Sequence, residues 1–240
     1  MAQTIRLADH DVRLFYGVLE THDFLWFASY DVSGLSATEV VVHNYALTYA
    51  LSRFERGIAF GQGPTYQDDL AQMPLYTTPA DLLVADNPFA GKVKLTWNAL
   101  DTRSQRTQDP KYKKQNTPMM GKRVMIAPMT RFGFYVFTLD GSRPPGSIRL
   151  GKKRSPCRVC YTEIPQPLAH QTKDTFAPTH LVNPLDVEGK VEAFNVVNIP
   201  PHLLLRNARL REDYVVNYRE GRAYHVVHVP RRVLEHVGES

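Results

Sequence analysis

Apolar and polar positions alternate along most of the chain, and this pattern predicts strands. Two β-rich runs lie within residues 11–32, and further alternating or strongly apolar runs lie at 92–101, 131–141 and 157–164. Residues 213–230 form two alternating segments around the turn REGR, which indicates a hairpin. Strands outnumber helices, so we expect an α+β protein with an antiparallel sheet.

One segment, residues 33–57, has the spacing of a helix instead. Ser36 or Thr38 could cap its start, and Gly57 marks its end. The apolar residues that recur at i, i+3, i+4, i+7 and i+8 are Val42, Tyr45, Ala46, Tyr49 and Ala50. We therefore predict one main helix between the first strands and the later sheet.

The composition is that of a globular protein. The chain has 240 residues, 43% of them hydrophobic, which suits a single domain with its own core. Only two cysteines occur, Cys157 and Cys160, which favours a reducing cytoplasm over secretion. No signal peptide or membrane-spanning apolar run is evident. Strand alternation would point the two cysteines to opposite faces, so we expect neither a metal site nor a cofactor.

The distribution of charge is more informative than its total of +5. The segment from Lys92 to Arg158 holds sixteen Lys and Arg residues against three acids, a balance of +13, whereas the remainder balances at −8. A basic middle third within an acidic remainder indicates a polyanionic partner, and nucleic acid fits best because aromatic residues are interleaved with the charges. The alternative is a solvated loop face.

The segment from Gly146 to Lys153 reads G-x-x-x-x-G-K-K, close to the phosphate loop of nucleotide hydrolases. That loop requires a Ser or Thr after its lysine and a helix that begins there. Lys153 occupies the hydroxyl position, Pro156 would break a helix, and the residues that follow are strand-like. The pattern therefore excludes a nucleotide hydrolase of this kind.

A glycine-bearing turn with a run of positive charge remains. Glycine allows a backbone to approach a phosphate closely, and cationic side chains neutralise successive phosphates. This arrangement suits a nucleic-acid backbone, although a simple basic surface turn is the alternative. The residues concerned are Arg149, Gly151, Lys152, Lys153 and Arg154.

The predicted helix carries a second candidate group. A metal-independent ribonuclease could use His43 or Tyr45 with a nearby lysine as acid and base. The alternative is that Tyr45 and Tyr49, one helical turn apart, anchor the core. His225 and His228 have no third group that would identify a catalytic triad.

Three motifs carry a resemblance to a known family. HNYALTYAL at 43–51, IRLGKKRS at 148–155 and WNALD at 97–101 resemble the Csc-one family, the type I-D branch of the Cas-five lineage of CRISPR-associated subunits. The helix motif is the most specific of the three. The order of elements is similar over most of the chain.

The resemblance implies one domain over residues 1–240, with a ferredoxin-like, RNA-recognition-type (RAMP) core, a glycine-containing basic loop and a projecting thumb hairpin. Such subunits hold the 5′ handle of the CRISPR RNA and cap a helical backbone of Cas-seven-type subunits. They contact the Cas-ten-type large subunit beside the entry point of the PAM duplex, so target DNA near the PAM is a further candidate partner. The resemblance also implies a non-catalytic role, since a separate Cas-six-type ribonuclease processes the RNA in type I-D.

The resemblance further implies roles for individual residues. The loop expected near RNA corresponds to Arg149, Gly151, Lys152, Lys153 and Arg154. The thumb would span 101–128, and its phosphate or neighbour contacts would be Lys111, Lys113, Lys114, Lys122 and Arg123. Tyr112 could stack on a base. His43, Asn44 and Tyr45 map to a helix expected beside the handle.

Two rival functions stay open at this point. The first rival function is that of a metal-independent repeat endoribonuclease, because Cas-five-type subunits of the type I-C branch are themselves ribonucleases. It predicts RNA cleavage in the presence of a chelator. An unrelated basic β-rich interaction module without RNA is the second, and it predicts no binding to handle RNA or to any other polyanion at moderate salt.

Overall fold

A computed structural model describes residues 3–32, 35–54, 65–84, 92–98 and 120–239. These residues form mostly antiparallel β-sheet with few helices, as the apolar alternation predicts. No helix among them is long and apolar enough to cross a membrane.

Seventeen strands and three α-helices occur within the described residues. The strands are β1 (Thr4–Arg6), β2 (Arg13–Thr21), β3 (Tyr30–Val32), β4 (Leu35–Ala37), β5 (Val41–Val42), β6 (Leu75–Thr77), β7 (Ala80–Leu82), β8 (Lys92–Asn98), β9 (Met120–Ile126), β10 (Arg131–Thr138), β11 (Ser147–Leu150), β12 (Ser155–Ile164), β13 (Leu168–Thr172), β14 (Lys190–Val197), β15 (Leu204–Arg211), β16 (Asp213–Glu220) and β17 (Ala223–His228). The helices are α1 (Asn44–Ser52), α2 (Tyr66–Ala71) and α3 (Arg231–Glu239).

The central sheet has the strand order β11-β12-β2-β10-β7-β5, and β6 also pairs with β10. All of these pairs are antiparallel. Every residue of β10 after Arg131 is buried, because both faces of this strand are covered. Phe134 packs on one face with Leu47 and Leu51 of α1. Each such buried side chain stabilises the fold by roughly 1.5–3 kcal/mol.

The opposite face of the central sheet packs against a second sheet, with the order β1-β13-β16-β17. Tyr135 and Phe137 of β10 share a core cluster there with Val216 of β16 and Val233 of α3. The two layers on either side of β10 fix the central sheet, and with it the turn that joins β11 to β12.

A third sheet, in the order β3-β4-β9-β8, carries part of the basic segment. Strands β8 and β9 are antiparallel neighbours, whereas β4 and β9 are parallel. Residues 99–119, which link β8 to β9, lie outside the described residues. The thumb proposed for 101–128 therefore stays a prediction.

The helix predicted for residues 33–57 is shorter than its apolar spacing indicates. Residues 35–37 and 41–42 form β4 and β5, and α1 begins only at Asn44. The β-branched run at 40–42 favours a strand, and β5 pairs with β7 of the central sheet. Thr38 does not cap the helix, because its hydroxyl donates to the carbonyl of Phe27. The predicted end, Gly57, lies outside the described residues.

Candidate nucleic-acid interface

The turn between β11 and β12 consists of residues 151–154 and joins two strands, so no helix begins at its lysines. Gly151 has φ +72°, and a Cβ atom there would lie 2.6 Å from the carbonyl oxygen of Trp26. That oxygen accepts the Lys152 N–H at 2.9 Å, and the Arg154 N–H donates to the Gly151 carbonyl at 3.0 Å. Gly151 therefore allows a close approach within the protein, and these two amides are already occupied.

The side chains of this turn face solvent. Lys152, Lys153 and Arg154 are exposed, and none of them forms a salt bridge with a carboxylate in the described part of the chain. Arg149 is also exposed, and its guanidinium donates to the Arg154 carbonyl at 3.1 Å. We call the exposed cations Arg149, Lys152, Lys153 and Arg154 the basic turn. It presents several positive charges at hydrated positions, as contact with phosphates requires.

Trp26 connects the basic turn to β9. The Arg123 guanidinium lies over its ring, 4.2 Å from the centroid, and the Lys152 ammonium lies 5.2 Å from the same centroid. The indole N–H donates to the hydroxyl of Ser36 on β4 at 3.2 Å. Lys122, the neighbour of Arg123 on β9, is exposed. Of these two cations predicted for the thumb, Arg123 thus lies on the same surface as the basic turn, whereas Lys122, the preceding residue of the strand, points to the opposite face of β9.

The other residues predicted for the thumb lie outside the described residues. They are Lys111, Tyr112, Lys113 and Lys114. Their predicted contact with RNA stays a prediction.

His43 is the N-cap of α1 and is only 5% exposed. Its Nδ1 accepts the Tyr45 N–H at 3.1 Å, whereas its Nε2 is buried and forms no hydrogen bond with another of the described residues. Burial, and to a smaller extent the nearby charge of His202, lower the pKa of His43 to about 4 against the opposing effect of the His202 backbone. His43 is therefore neutral at neutral pH.

Asn44 lies in the core and away from any surface. Its amide nitrogen lies 3.1 Å from both the Tyr76 hydroxyl and an Asp186 carboxylate oxygen, and its carbonyl accepts from Asn183 at 3.2 Å. Tyr76 also donates to Asp186 at 2.6 Å. Burial raises the pKa of Asp186 to about 7. This network positions the start of α1, so Asn44 has a structural role.

An aromatic cavity of about 390 Å³ lies beside the basic turn. The side chains that matter for its chemistry are Phe27, His43, Tyr45, Tyr49, Tyr66 and Lys152. Sequence reasoning missed three residues of this region, namely Trp26, Phe27 and Tyr66. The aromatic content of residues 24–30 was the available signal, but strand propensity alone did not indicate its role.

The two cysteines do not form a chelating pair. Cys157 is buried and Cys160 is exposed on β12, as the alternation of a strand predicts. Burial raises the pKa of the Cys157 thiol to about 12, which leaves the thiol protonated at neutral pH.

The fold and this surface define a class of antiparallel β-rich proteins with an exposed basic turn beside an aromatic cavity. The model of the family described as type I-D CRISPR-associated protein Cas5/Csc1 matches residues 12–234. The chain therefore belongs to the Cas5/Csc1 family of type I-D CRISPR systems, which confirms the resemblance and implies a role related to the Cascade interference complex. No curated protein matches the chain.

Proposed function

We propose that this chain is a non-catalytic subunit of the type I-D interference complex and holds the 5′ handle of the CRISPR RNA at the basic turn. The observation that carries the proposal is the position of Lys152, which belongs to the basic turn, contacts Trp26 and lines the aromatic cavity. Exposed cations beside aromatic side chains suit single-stranded RNA, whose phosphates and bases both need partners.

The mode of phosphate binding follows from the internal hydrogen bonds of the turn. Because the amides of Lys152 and Arg154 already donate within the protein, side-chain charges supply the contacts. Binding of this type weakens as salt rises, by a logarithmic slope of roughly 0.7 per phosphate contacted on a single strand.

A ferredoxin-like RAMP core is part of the proposal. The strands β12, β2, β10 and β7 lie side by side, with α1 between β2 and β7 in sequence. This order supports a ferredoxin-like arrangement in which the short strand β11 stands where a second helix would come.

The absence of catalysis is also proposed, and the chemistry of α1 supports it. A general base works best with a pKa near neutrality. His43 has a pKa of about 4, and burial raises the pKa of Tyr45 above its ordinary value. Neither group is suited to proton transfer at neutral pH, which disfavours the alternative of a metal-independent ribonuclease.

The partners follow from the family and stay within the proposal. The chain would cap a backbone of Cas-seven-type subunits, contact the Cas-ten-type large subunit and act in antiviral defence in the cytoplasm. Target DNA near the PAM is a candidate for cations that the RNA does not use, such as Lys122 on β9.

The test replaces Lys152, Lys153 and Arg154 with alanine and measures RNA binding by the assembled complex as a function of salt. We expect weaker binding and a logarithmic salt slope lower by up to about 2, which corresponds to three phosphate contacts. A charge-matched control replaces the exposed residues Lys173, Arg219 and Arg222, which lie near the second sheet. An unchanged slope in the first variant, or equal changes in both, would contradict the proposal. RNA cleavage in chelator that His43→Ala abolishes would support the ribonuclease instead.

A further inference from the structure

The hairpin of β14 and β15 is a two-stranded sheet of its own, and only one of its edges is covered by the described residues. On the outer edge of β15, Leu205 exchanges two backbone hydrogen bonds with Val182, at 2.8 and 2.9 Å. Leu210 does the same with Phe176. On the outer edge of β14, the backbone groups form no hydrogen bond with the other described residues. Unpaired groups of this kind are a template for a further strand.

The edge of the second sheet shows what protection looks like in this fold. On its edge strand β17, the N–H of Val226 donates to the Thr179 hydroxyl at 3.3 Å, and its carbonyl accepts the Thr179 N–H at 2.9 Å. Open edges that are not covered usually carry charged residues or proline. The middle of β14, residues 193–196, reads AFNV and has neither. The extra residue that disturbs the pairing of β14 comes before Ala193, so this stretch is regular and open to pairing.

Two apolar side chains on this stretch face solvent. Phe194 is 48% exposed and Val196 is 56% exposed. They stand two residues apart in a strand, so they lie on the same face of the hairpin. Val196 pairs with Leu205, which belongs to a buried apolar cluster. The other buried members of this cluster are Val182, Val187, Ala208 and Leu210. The cluster thus continues to the open edge, where an added strand would extend its cover.

Arg209 of β15 is exposed and forms no ion pair with a carboxylate in the described part of the chain. It stands opposite Ala193 on β14. The short side chain of Ala193 leaves Arg209 a path to a strand about 4.8 Å beyond β14. The other charged side chains of the two strands form the pairs Lys190–Glu212, Glu192–Arg211 and Arg206–Asp81. Arg209 is therefore complementary to an acidic residue on an added strand.

These features select the class of partner. A nucleic acid needs several cations along its phosphates, whereas β14 and β15 offer one unpaired cation among the described residues, beside two exposed apolar side chains. A second copy of this chain, paired through β14, would bring a second Arg209 and no unpaired acid from these strands. An extended segment of a different protein satisfies the backbone edge, the apolar face and the charge together.

We infer that the outer edge of β14 binds an extended segment of another protein as an added strand, whose apolar side chains pack against Phe194 and Val196 and whose acidic side chain faces Arg209. Apolar and acidic residues alternate in such a segment, because successive side chains of a strand point to opposite faces. The inference goes beyond the proposed function and does not depend on RNA binding at the basic turn.

The test places a photoreactive amino acid on this edge. The residue p-benzoylphenylalanine replaces Phe194 in one version of the chain and Val196 in another. Each version is co-expressed with the products of the neighbouring genes and a CRISPR array, and the crosslinked peptides are identified by mass spectrometry. Tyr224 is the control position, since it is 55% exposed and lies on the protected edge strand β17. Thermal unfolding establishes that each version folds.

We expect positions 194 and 196 to crosslink to one short segment of one partner protein, at residues two apart. Position 224 should not crosslink to that segment. Arg209→Glu should lower the crosslinking yield from position 194 about fivefold, as expected for an ion pair near the surface. Arg222→Glu, which changes an exposed arginine elsewhere, should leave the yield unchanged. Lysine in place of the partner's acidic residue should restore the yield in the Arg209→Glu chain.

The outcomes separate this inference from the proposed function. Crosslinked residues three or four apart would indicate a helix on this surface and would overturn the added strand. Crosslinks to RNA or to a second copy of this chain, no crosslink from either position, or a yield that Arg209→Glu leaves unchanged would also overturn the inference. The salt slope of RNA binding is measured on the complex without the photoreactive residue. A slope that does not respond to the basic-turn variant would overturn the proposed function and leave the contact at β14 unaffected.

Discussion

The guanidinium carbon of Arg123 lies 4.2 Å from the centre of the Trp26 ring, although the two residues stand almost a hundred positions apart in the chain. The same ring lies 5.2 Å from the ammonium of Lys152. Trp26 thus joins strand β9 to the basic turn, and the position of a proposed RNA-binding lysine depends on a strand of another sheet. Substitutions on β9 should therefore affect the position of the basic turn.

Arg123 and Trp26 should be energetically coupled. A cation–π pair at a partly exposed site contributes about 0.5–2 kcal/mol. A double-mutant cycle of Arg123→Ala and Trp26→Leu, measured by urea unfolding, should give a coupling free energy in that range. The cycle is needed because each single substitution also removes other contacts. Additive effects of the two substitutions would show that the ring and the guanidinium are neighbours without mutual stabilisation.

Gly151→Ala should destabilise the protein more than the same change at another glycine with positive φ. At Gly151 a Cβ would lie 2.6 Å from a backbone oxygen, whereas at Gly221, with φ +59°, it would meet nothing within 4 Å. Gly221→Ala should cost about 1–2 kcal/mol, the strain of a left-handed non-glycine residue. Gly151→Ala should exceed this by at least about 1 kcal/mol, since the Trp26 backbone must also shift. Equal free energies of unfolding in urea would argue against the close approach.

His43 should make stability depend on pH in the acid range. Its pKa is about 4 in the folded protein and near 6.5 in the unfolded chain, so between these values the unfolded state binds more protons. The stability of the native sequence relative to His43→Asn should therefore fall as the pH falls from about 6.5 to about 4. The slope is at most about 1.4 kcal/mol per pH unit. Urea unfolding of both proteins at pH 4.5 and 7 measures it, and a constant difference would contradict a buried, neutral His43.

Asp186 should produce the opposite dependence. Burial raises its pKa to about 7, so between about pH 4 and 7 the folded protein holds a proton that the unfolded chain has lost. The stability of the native sequence relative to Asp186→Asn should fall as the pH rises through this range, again by at most about 1.4 kcal/mol per unit. Unfolding at pH 4.5, 6 and 8 gives the sign. A difference that grows with pH would indicate a carboxylate that is ionised in the fold.

The pattern of apolar residues predicted a strand well in two cases: where both faces of the strand are buried, and where one whole face is buried and the other is exposed. The apolar run of β10 and the alternation of β12 are examples, and the hairpin of β16 and β17 followed from its turn. Helix α3 was missed although Pro230 precedes it and Val233 and Val237 stand four residues apart, both buried. That spacing was available in the sequence and could have revealed the helix.

The candidate site was predicted only in part, because its partners are distant in sequence. The basic run at 149–154 was visible, but no local signal indicated that Gly151 packs against the carbonyl of Trp26. The N-cap that His43 provides to α1 exists only because β5 occupies residues that the apolar spacing assigned to the start of the helix. Both features depend on contacts between segments that are distant in sequence, so local secondary-structure propensity and the spacing of apolar residues could not predict them.

Mapping of protein–RNA photocrosslinks in the purified complex tests the central claim most directly. The chain would be co-expressed with the products of its neighbouring genes and a CRISPR array, and the assembly would be irradiated and analysed by mass spectrometry. We predict crosslinks from residues 149–154 to the 5′ handle of the RNA. A stable assembly whose RNA crosslinks only to other subunits would contradict the claim and leave this chain a protein–protein adaptor.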